Sequence, residues 1–147
     1  MTKPNQESNL TLDKQICFSL YSASNAMGRA YQPLLKKLDL TYLQYIVMMV
    51  LWQYSSMNVK ELGEKLHLDS GTLTPLLKRL EGKELIIRSR GQQDERVRII
   101  SLSDEGRKMR QQAEQVPNAI FCKSKMTADE LTKLKQSCDL LLANLNN

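Results

Sequence analysis

The chain has 147 residues, of which 41% are hydrophobic and 25% are charged. A chain of this length and composition can bury one proper core, which excludes disorder as a description of the whole protein. The formal charge of +5 and the isoelectric point of about 9.2 favour a polyanionic partner, although solubility alone is an alternative reason for such a charge.

The sequence contains no run of about 18 apolar residues that could span a bilayer. The first ten residues, MTKPNQESNL, are polar where a signal peptide needs its apolar core. We therefore expect a cytoplasmic protein with no membrane partner. In that compartment Cys17, Cys122 and Cys138 would be kept reduced, so any disulfide between them would be a transient event and not a permanent scaffold.

Two helical patterns open the chain. Apolar residues recur at steps of three and four from about Leu12 to Tyr31, which predicts a first long helix, and Pro33 ends this helix or starts the next turn. A denser apolar segment, Tyr42 to Tyr54, predicts a central core helix that is buried on most sides.

From residue 58 onward the pattern changes to short pieces. Asn58 is expected to cap one short helix and Asp69 or Ser70 a second, with HLD as the connection between them. Two short helices joined so tightly form a helix-turn-helix. Pro75 lies too late to be a first-turn proline, so it should cost a hydrogen bond or bend the first turn of the second helix.

The second helix has a leucine stripe, and its other face carries small hydroxyls followed by cations: Ser70, Thr72, Thr74, Lys78 and Arg79. Hydroxyls can bond base edges or phosphates near the helix axis, while the longer cations can reach the backbone. This arrangement is typical of a recognition helix in the major groove of DNA. An ordinary solvent-facing surface is the alternative on these residues alone.

Two strand-like segments, LIIRSR and RVRIISL, flank GQQDE and predict a β-hairpin. In the second segment, Arg96 and Arg98 alternate with Val97 and Ile99, so the arginines share one face. A hairpin directly after a helix-turn-helix is a wing.

The predicted wing is basic. Arg88 and Arg90 lie in its first strand, and Arg96 lies at its tip, where an arginine can enter a narrow, A·T-rich minor groove. Asp94 is placed to hold Arg96 by a charge-assisted contact. The basic residues thus gather where DNA would lie.

The last third of the chain is again helical. Ser103 with DEG predicts a helix that continues towards Lys125, with Pro117 as a kink. TADE at 127 to 130 is a capping box by residue type. The helix that it opens carries an apolar stripe: Leu131, Leu134, Cys138, Leu141, Leu142 and Leu145. Together with the first helix, this stripe predicts the interface of a twofold dimer that presents two recognition helices to successive major grooves.

This order of elements resembles the MarR family of winged-helix repressors over nearly the whole chain, and Asp94 and Arg96 match the D-x-R pattern of that family's wing tip. QICFSLYSAS, YQPLLKKLDLTYLQY and LDSGTLTPLLKRLE are similar to segments of the organic hydroperoxide sensors, the OhrR group. The resemblance implies a mainly α fold with a small β-hairpin wing, a winged helix-turn-helix in a MarR-like homodimer. It implies a single domain over residues 1–147, with dimerisation and core helices in 1–56, the DNA-binding region in 57–102 and closing dimerisation helices in 103–147.

The resemblance also implies that Cys17 is the peroxide-sensing cysteine and that Tyr21, Tyr31 and Tyr42 hydrogen-bond its sulfur. The chemistry is reasonable, because a thiolate is the nucleophile and phenolic O–H groups are donors that can stabilise it. Along a continuous helix with about 1.5 Å per residue, Tyr31 would lie about 21 Å from Cys17. Tyr31 should therefore reach Cys17 from the partner subunit.

Cys122 corresponds, by the same resemblance, to the resolving cysteine of the two-cysteine subclass. In that subclass an organic hydroperoxide oxidises the sensor, the resolving cysteine of the other subunit forms a disulfide with it, and operator DNA is released. A small buried hydrophobe is the alternative for Cys122. Cys138 has no counterpart in the family pattern and is predicted to pack, and Leu43 departs from a proline that is frequent in this group.

Other functions remain as alternatives. A MarR-type repressor released by a small aromatic ligand, with inert cysteines, would be indifferent to peroxide. A thiol-dependent enzyme is disfavoured, because the sequence has neither a C-x-x-C motif in a βαβ context nor a second histidine. No metal or cofactor is predicted, since His67 and three widely separated cysteines lack the spacing of zinc ligands.

Overall fold

The structure, a computed structural model, describes residues 9–147. Residues 1–8 lie outside the described residues. They include most of the polar segment that argues against a signal peptide. Between residues 9 and 147, no helix combines the length and the apolar character needed to cross a membrane.

Seven α-helices and three β-strands are described within residues 9–147, after a short 3-10 turn at Leu12–Lys14. In chain order they are α1 (Ile16–Lys36), α2 (Tyr42–Tyr54), β1 (Ser56–Asn58), α3 (Val59–Leu66), α4 (Ser70–Gly82), β2 (Ile86–Arg90), β3 (Arg98–Leu102), α5 (Asp104–Ala113), α6 (Gln115–Ser124) and α7 (Ala128–Leu145). The predicted mainly α fold with a small β-hairpin wing is confirmed.

Helix α1 differs from its prediction at both ends. It begins at Ile16, so Cys17 lies in its first turn, and it continues through Pro33 to Lys36. The prediction that Pro33 ends this helix or starts the next turn is wrong. A proline removes only one helical N–H, and Leu35 beyond it is 2% exposed, so burial of the last turn keeps the helix intact.

Helix α2 is the central core helix, as predicted. A capping box starts it, with the Thr41 side chain accepting from the N–H of Gln44 and the Gln44 side chain accepting from the N–H of Thr41. Val47, Met48 and Leu51 have no exposed surface. Helices α1, α3, α4 and α5 and strands β1 and β3 contact this helix.

The caps of the helix-turn-helix follow the sequence. The Asn58 side chain accepts from the N–H of Glu61 at 2.8 Å and opens α3, and Asp69, not Ser70, accepts from Thr72 at 2.7 Å and opens α4. Helix α4 continues through Pro75 to its end. The predicted helix-turn-helix is therefore present, with His67 to Asp69 as its connection.

The wing belongs to a three-stranded antiparallel sheet with the order β1-β3-β2. Strands β2 and β3 pair from Ile86 opposite Leu102 to Arg90 opposite Arg98. Strand β1, which the sequence did not predict, pairs with the edge of β3 that faces away from β2. Strand β3 begins at Arg98, two residues later than the predicted strand, so Arg96 lies in the loop of the hairpin.

The helix predicted from Ser103 towards Lys125 is two helices, α5 and α6, which meet at Glu114. Pro117 explains the break, because it has no N–H for the carbonyl of Ala113 and its ring collides with that carbonyl in a helix. The predicted capping box of α7 is confirmed, with Thr127 and Glu130 exchanging hydrogen bonds of 3.1 and 2.9 Å. No residue of α7 is buried.

Candidate functional site

Helix α4 presents two distinct faces. Leu73, Leu76, Leu77 and Leu80 are buried against the core. The predicted DNA-binding side chains of this helix are all exposed: Ser70, Thr72, Thr74, Lys78 and Arg79. The face that the sequence assigned to a major groove is thus open to solvent and carries donors, acceptors and two cations.

At the tip of the wing, Asp94 holds Arg96. The Arg96 guanidinium donates to both carboxylate oxygens, at 3.2 and 3.4 Å, and the Arg96 backbone N–H donates to Oδ1 at 3.0 Å. The backbone hydrogen bond, followed by the side-chain bonds, lowers the pKa of Asp94. The Arg96 side chain is 92% exposed, so the predicted charge-assisted contact orients an arginine that is free to meet DNA.

At the base of the wing, half-buried Arg88 donates to the carboxylate of Glu81 at 2.9 Å. This side-chain hydrogen bond lowers the pKa of Glu81 and raises that of Arg88. Arg90 is exposed and lies opposite Arg98 in the strand pair. Arg98 was not among the predicted DNA-binding residues. Its alternation with Ile99 in the sequence placed it on the arginine face of the strand and could have predicted its position in the basic wing.

The predicted sensor tyrosines Tyr31 and Tyr42 pack together, with ring centroids 5.0 Å apart. Tyr45, which sequence reasoning treated only as core, completes the cluster at 5.9 and 6.3 Å from the other two rings. Burial is the main cause that raises the pKa of Tyr31, and the electrostatic effect of Tyr42 raises it further. Burial raises the pKa of Tyr45 to about 12, with Tyr31 and Tyr42 adding to the shift.

Cys17 and Tyr21 occupy the first two turns of α1, and both are exposed. Because α1 is continuous, Tyr31 lies about 21 Å farther along the same helix. One chain therefore contains two separate halves of the predicted sensor, a cysteine with Tyr21 at one end of α1 and a tyrosine cluster near the other.

The other two cysteines are also free thiols. Cys122 in α6 is exposed within the single chain. Cys138 in α7 is half-buried. No group of three or more histidine, cysteine, aspartate or glutamate side chains among residues 9–147 could hold a metal ion.

Two helices leave apolar faces exposed. On α1, Ile16 and Met27 lie on one face and are 66% and 51% exposed, whereas Phe18, on the opposite side of the helix, is 43% exposed. On α7, Leu134, Leu141 and Leu145 are exposed on one face with Leu142 at its border, and Leu140 is exposed on another side. Apolar faces of this extent typically mark an interaction surface.

A recognition helix with an open polar face, followed by a basic hairpin with an oriented arginine at its tip, defines the class of winged-helix DNA-binding proteins. The comparisons with known proteins agree with this class. Residues 29–113 match the family model of the transcriptional regulators SarA/Rot. The organic hydroperoxide resistance transcriptional regulator of Bacillus subtilis (strain 168) is 42% identical over 142 residues, which span 97% of both chains.

Two solved structures of AbfR, a protein of Staphylococcus epidermidis, are similar to the chain. Reduced AbfR bound to DNA has a TM-score of 0.76 and 36% identity, covering 92% of this chain and 95% of the AbfR chain. The disulfide-formed AbfR has a TM-score of 0.65 and 37% identity, covering 89% and 92%. The chain belongs to the MarR-like winged-helix transcriptional regulators, in the group of the organic hydroperoxide regulators. The Bacillus subtilis relative is a transcriptional regulator, and reduced AbfR binds DNA.

Proposed function

We propose that the chain is a redox-sensing repressor whose reduced homodimer binds operator DNA and releases it when an organic hydroperoxide oxidises Cys17. The observation that carries this proposal is the position of Cys17. It is an exposed thiol in the first turn of α1, where backbone N–H groups lack helical acceptors, and Tyr21 is one turn away. The relationship to a hydroperoxide resistance regulator supports the same reading.

DNA binding is assigned to residues 57–102. The exposed face of α4 would enter the major groove, where its hydroxyls meet base edges and Lys78 and Arg79 meet phosphates. Arg96, held by Asp94, would enter the adjoining minor groove. Arg88 and Arg90 add positive charge at the base of the wing.

The dimer interface is assigned to the segments on either side of the DNA-binding region, residues 1–56 and 103–147. All three segments belong to one domain of 147 residues. The exposed apolar faces of α1 and α7 support this assignment, because a second copy would remove them from water. A twofold axis would then present two recognition helices to successive major grooves.

The dimer would also complete the sensor. Tyr31 and Tyr42 lie too far from Cys17 of their own chain to bond its sulfur, so the tyrosine cluster would meet Cys17 of the partner subunit. Phenolic O–H groups from both subunits would then donate to the thiolate. The proposed sensor is therefore a property of the dimer.

The chemistry has two steps. The Cys17 thiolate attacks one oxygen of the hydroperoxide, the O–O bond breaks and a sulfenic acid forms, while the leaving alkoxide takes a proton from water and becomes an alcohol. The Cys122 thiolate of the partner subunit then attacks that sulfur, an S–S bond forms, the S–O bond breaks and the oxygen leaves as hydroxide, which takes up a proton from the solvent to become water. The peroxide is thereby reduced by two electrons and the pair of thiols is oxidised to a disulfide.

Release of DNA would follow from the geometry of the disulfide. The bond requires the two Cα atoms to approach within about 7 Å, which constrains α6 of one subunit against α1 of the other. Helices α1 and α6 both pack within the same body as the DNA-binding elements, so their rearrangement would move the recognition helices apart or out of register. Reduction of the disulfide in the cytoplasm would reset the repressor.

The test is DNA binding to the protein's own promoter region before and after stoichiometric cumene hydroperoxide, with non-reducing gels. We expect peroxide to lower the affinity of the wild type by about 5–150-fold, the usual range of allosteric coupling, and to produce a dimer-linked band. Cys17→Ser should lose both effects, and Cys122→Ser should lose the band. Cys138→Ser is the matched control and should behave as the wild type. Peroxide-driven release by Cys17→Ser would overturn the assignment of the sensor.

A second candidate function is release by a small aromatic ligand. It is favoured by a cavity of about 380 Å³ whose lining includes the aromatic rings of Tyr45 and Trp52. The lining also holds Arg110 and Glu114, which pair at 3.8 Å, so an aromatic carboxylate would have to displace Glu114 from Arg110. Release of DNA by such a ligand, together with indifference of the wild type to peroxide, would select this candidate.

A further inference from the structure

A cleft of about 360 Å³ lies between the last turn of α4 and the base of the wing. Its lining is strongly basic and consists of Glu81, Arg88, Ser89, Arg90 and Arg98. Three guanidinium groups face one carboxylate there, which leaves a net charge of +2 in a small concave space. The proposed function assigns Arg88 and Arg90 to the DNA-binding region but names no group that this cleft would bind.

The strand register concentrates these charges on one face of the sheet. Arg88 and Arg90 are two residues apart on β2 and therefore point to the same face. Arg98 lies directly opposite Arg90 on β3 and so shares that face. Like charges directly opposite one another destabilise a strand pair, so this arrangement is unfavourable for the protein alone.

The carboxylate neutralises only one of the three arginines. Arg88 donates one N–H to Glu81 at 2.9 Å, but its buried Nε has no hydrogen-bond partner within residues 9–147. Arg98 donates to the backbone carbonyl of Glu95 at 2.9 Å. Arg90 forms no ion pair in the part of the chain that the structure describes. The cleft therefore holds more positive charge and more donors than its own acceptors can satisfy.

We propose that this cleft binds a phosphate of the DNA backbone, with Arg90 and Arg98 as its ligands and Arg88 joining them by exchanging Glu81 for the phosphate. The inference rests on the proposed DNA binding. A recognition helix in one groove and a wing in the next must straddle the phosphate strand between the grooves, and the cleft lies between those two elements. Guanidinium groups suit a backbone phosphate, because their paired N–H groups can donate to the two non-bridging oxygens that share its negative charge.

A phosphate contact has a signature that a structural arginine lacks. It contributes equally to every DNA sequence, and it releases about 0.9 counterion from duplex DNA, so its loss lowers the salt slope of log K by about that amount. Glu81 competes with the phosphate for Arg88, so removing its charge should strengthen binding.

The experiment is fluorescence anisotropy of the reduced, full-length protein with its promoter duplex and with a scrambled duplex, over a series of salt concentrations. For Arg98→Ala we expect a salt slope lower by about 0.9 and the same fold-loss of affinity on both duplexes. Arg90→Ala should behave likewise, and Glu81→Gln should raise affinity on both. Arg107→Ala, which removes an exposed arginine of α5 paired with Asp104, is the matched control and should leave the slope unchanged.

An unchanged slope in Arg98→Ala and Arg90→Ala would overturn the inference, and so would a loss confined to the promoter duplex, which indicates base reading. Failure of the proposed function would give a different result, because the wild type itself would then not bind DNA or would not respond to peroxide. Thermal melting of each variant separates a loss of contact from a loss of folded protein.

Discussion

The ammonium group of Lys83 donates a hydrogen bond to Oε1 of Gln44, 3.1 Å away. Lys83 follows the recognition helix directly, whereas Gln44 lies in the first turn of α2, two residues after Tyr42. The same ammonium bonds the backbone carbonyl of Asp39 and pairs with its carboxylate at 3.6 Å. One lysine therefore joins the end of the recognition helix to the turn that precedes the tyrosine cluster.

Replacing Lys83 with methionine should destabilise the fold. Gln44 is 3% exposed, and its oxygen would keep only the hydrogen bond from Thr41, so we expect the free energy of unfolding to fall by about 1–2 kcal/mol. Urea denaturation measures the change. Lys108→Met removes an exposed ion pair with Glu105 and should cost less than about 0.5 kcal/mol. Equal losses in the two variants would contradict the role of Lys83.

Gly106 should tolerate no side chain. A Cβ at this position would lie 2.2 Å from the carbonyl oxygen of Leu85, an impossible contact with backbone. We expect Gly106→Ala to lower the free energy of unfolding by about 1–3 kcal/mol or more, because helix α5 must shift away from the wing. Gly82→Ala is the control, since no atom lies within 4 Å of its added Cβ, and it should stabilise the protein by about 0.4–1 kcal/mol.

The hydrogen bonds between Arg96 and Asp94 should be visible in a titration of the wing tip. Asp94 has a lowered pKa in the folded protein. Its ionised carboxylate therefore stabilises the ordered wing at pH values above the ordinary aspartate pKa, and this stabilisation is lost as the pH falls through the lowered pKa. In Arg96→Ala the backbone hydrogen bond remains, so the pKa should rise only part of the way. Carboxyl carbon NMR against pH measures both values. Arg107→Ala should leave the Asp94 titration unchanged.

Tyr45 should make the fold sensitive to alkali. Its pKa of about 12 lies above the ordinary tyrosine value of about 10, so the unfolded chain loses this proton first. Stability should therefore be intact below about pH 10 and should decline as the pH rises from there towards 12. Urea midpoints across this range should show a weaker decline in Tyr45→Phe. A decline of the same slope in both proteins would show that another group is responsible.

Much of this fold could be predicted because its signals are local. The side chains of Asn58, Asp69, Ser103 and Thr127 each accept a hydrogen bond from an N–H three residues later, and that bond needs no distant partner. The two faces of α4 and the contact between Asp94 and Arg96 were predictable for the same reason. Residues close in the chain decide these features.

The features that the sequence did not predict depend on residues far apart in the chain. Strand β1 has three residues and exists as a strand only through its pairing with β3, more than forty residues later. Pro33 appeared to end a helix, but burial of Leu35 in the core outweighs one lost hydrogen bond. The place of Tyr45 in the tyrosine cluster likewise arises only when α1 and α2 pack together.

The unbroken length of α1 has a consequence in genetic terms. If each sensor combines Cys17 of one subunit with Tyr31 of the other, two defective alleles can complement each other. A Cys17→Ser subunit paired with a Tyr31→Phe subunit regains one complete sensor, because the intact cysteine and the intact tyrosine face each other. The same two substitutions carried by one chain leave no complete sensor in a heterodimer with the wild type, so that allele would be dominant.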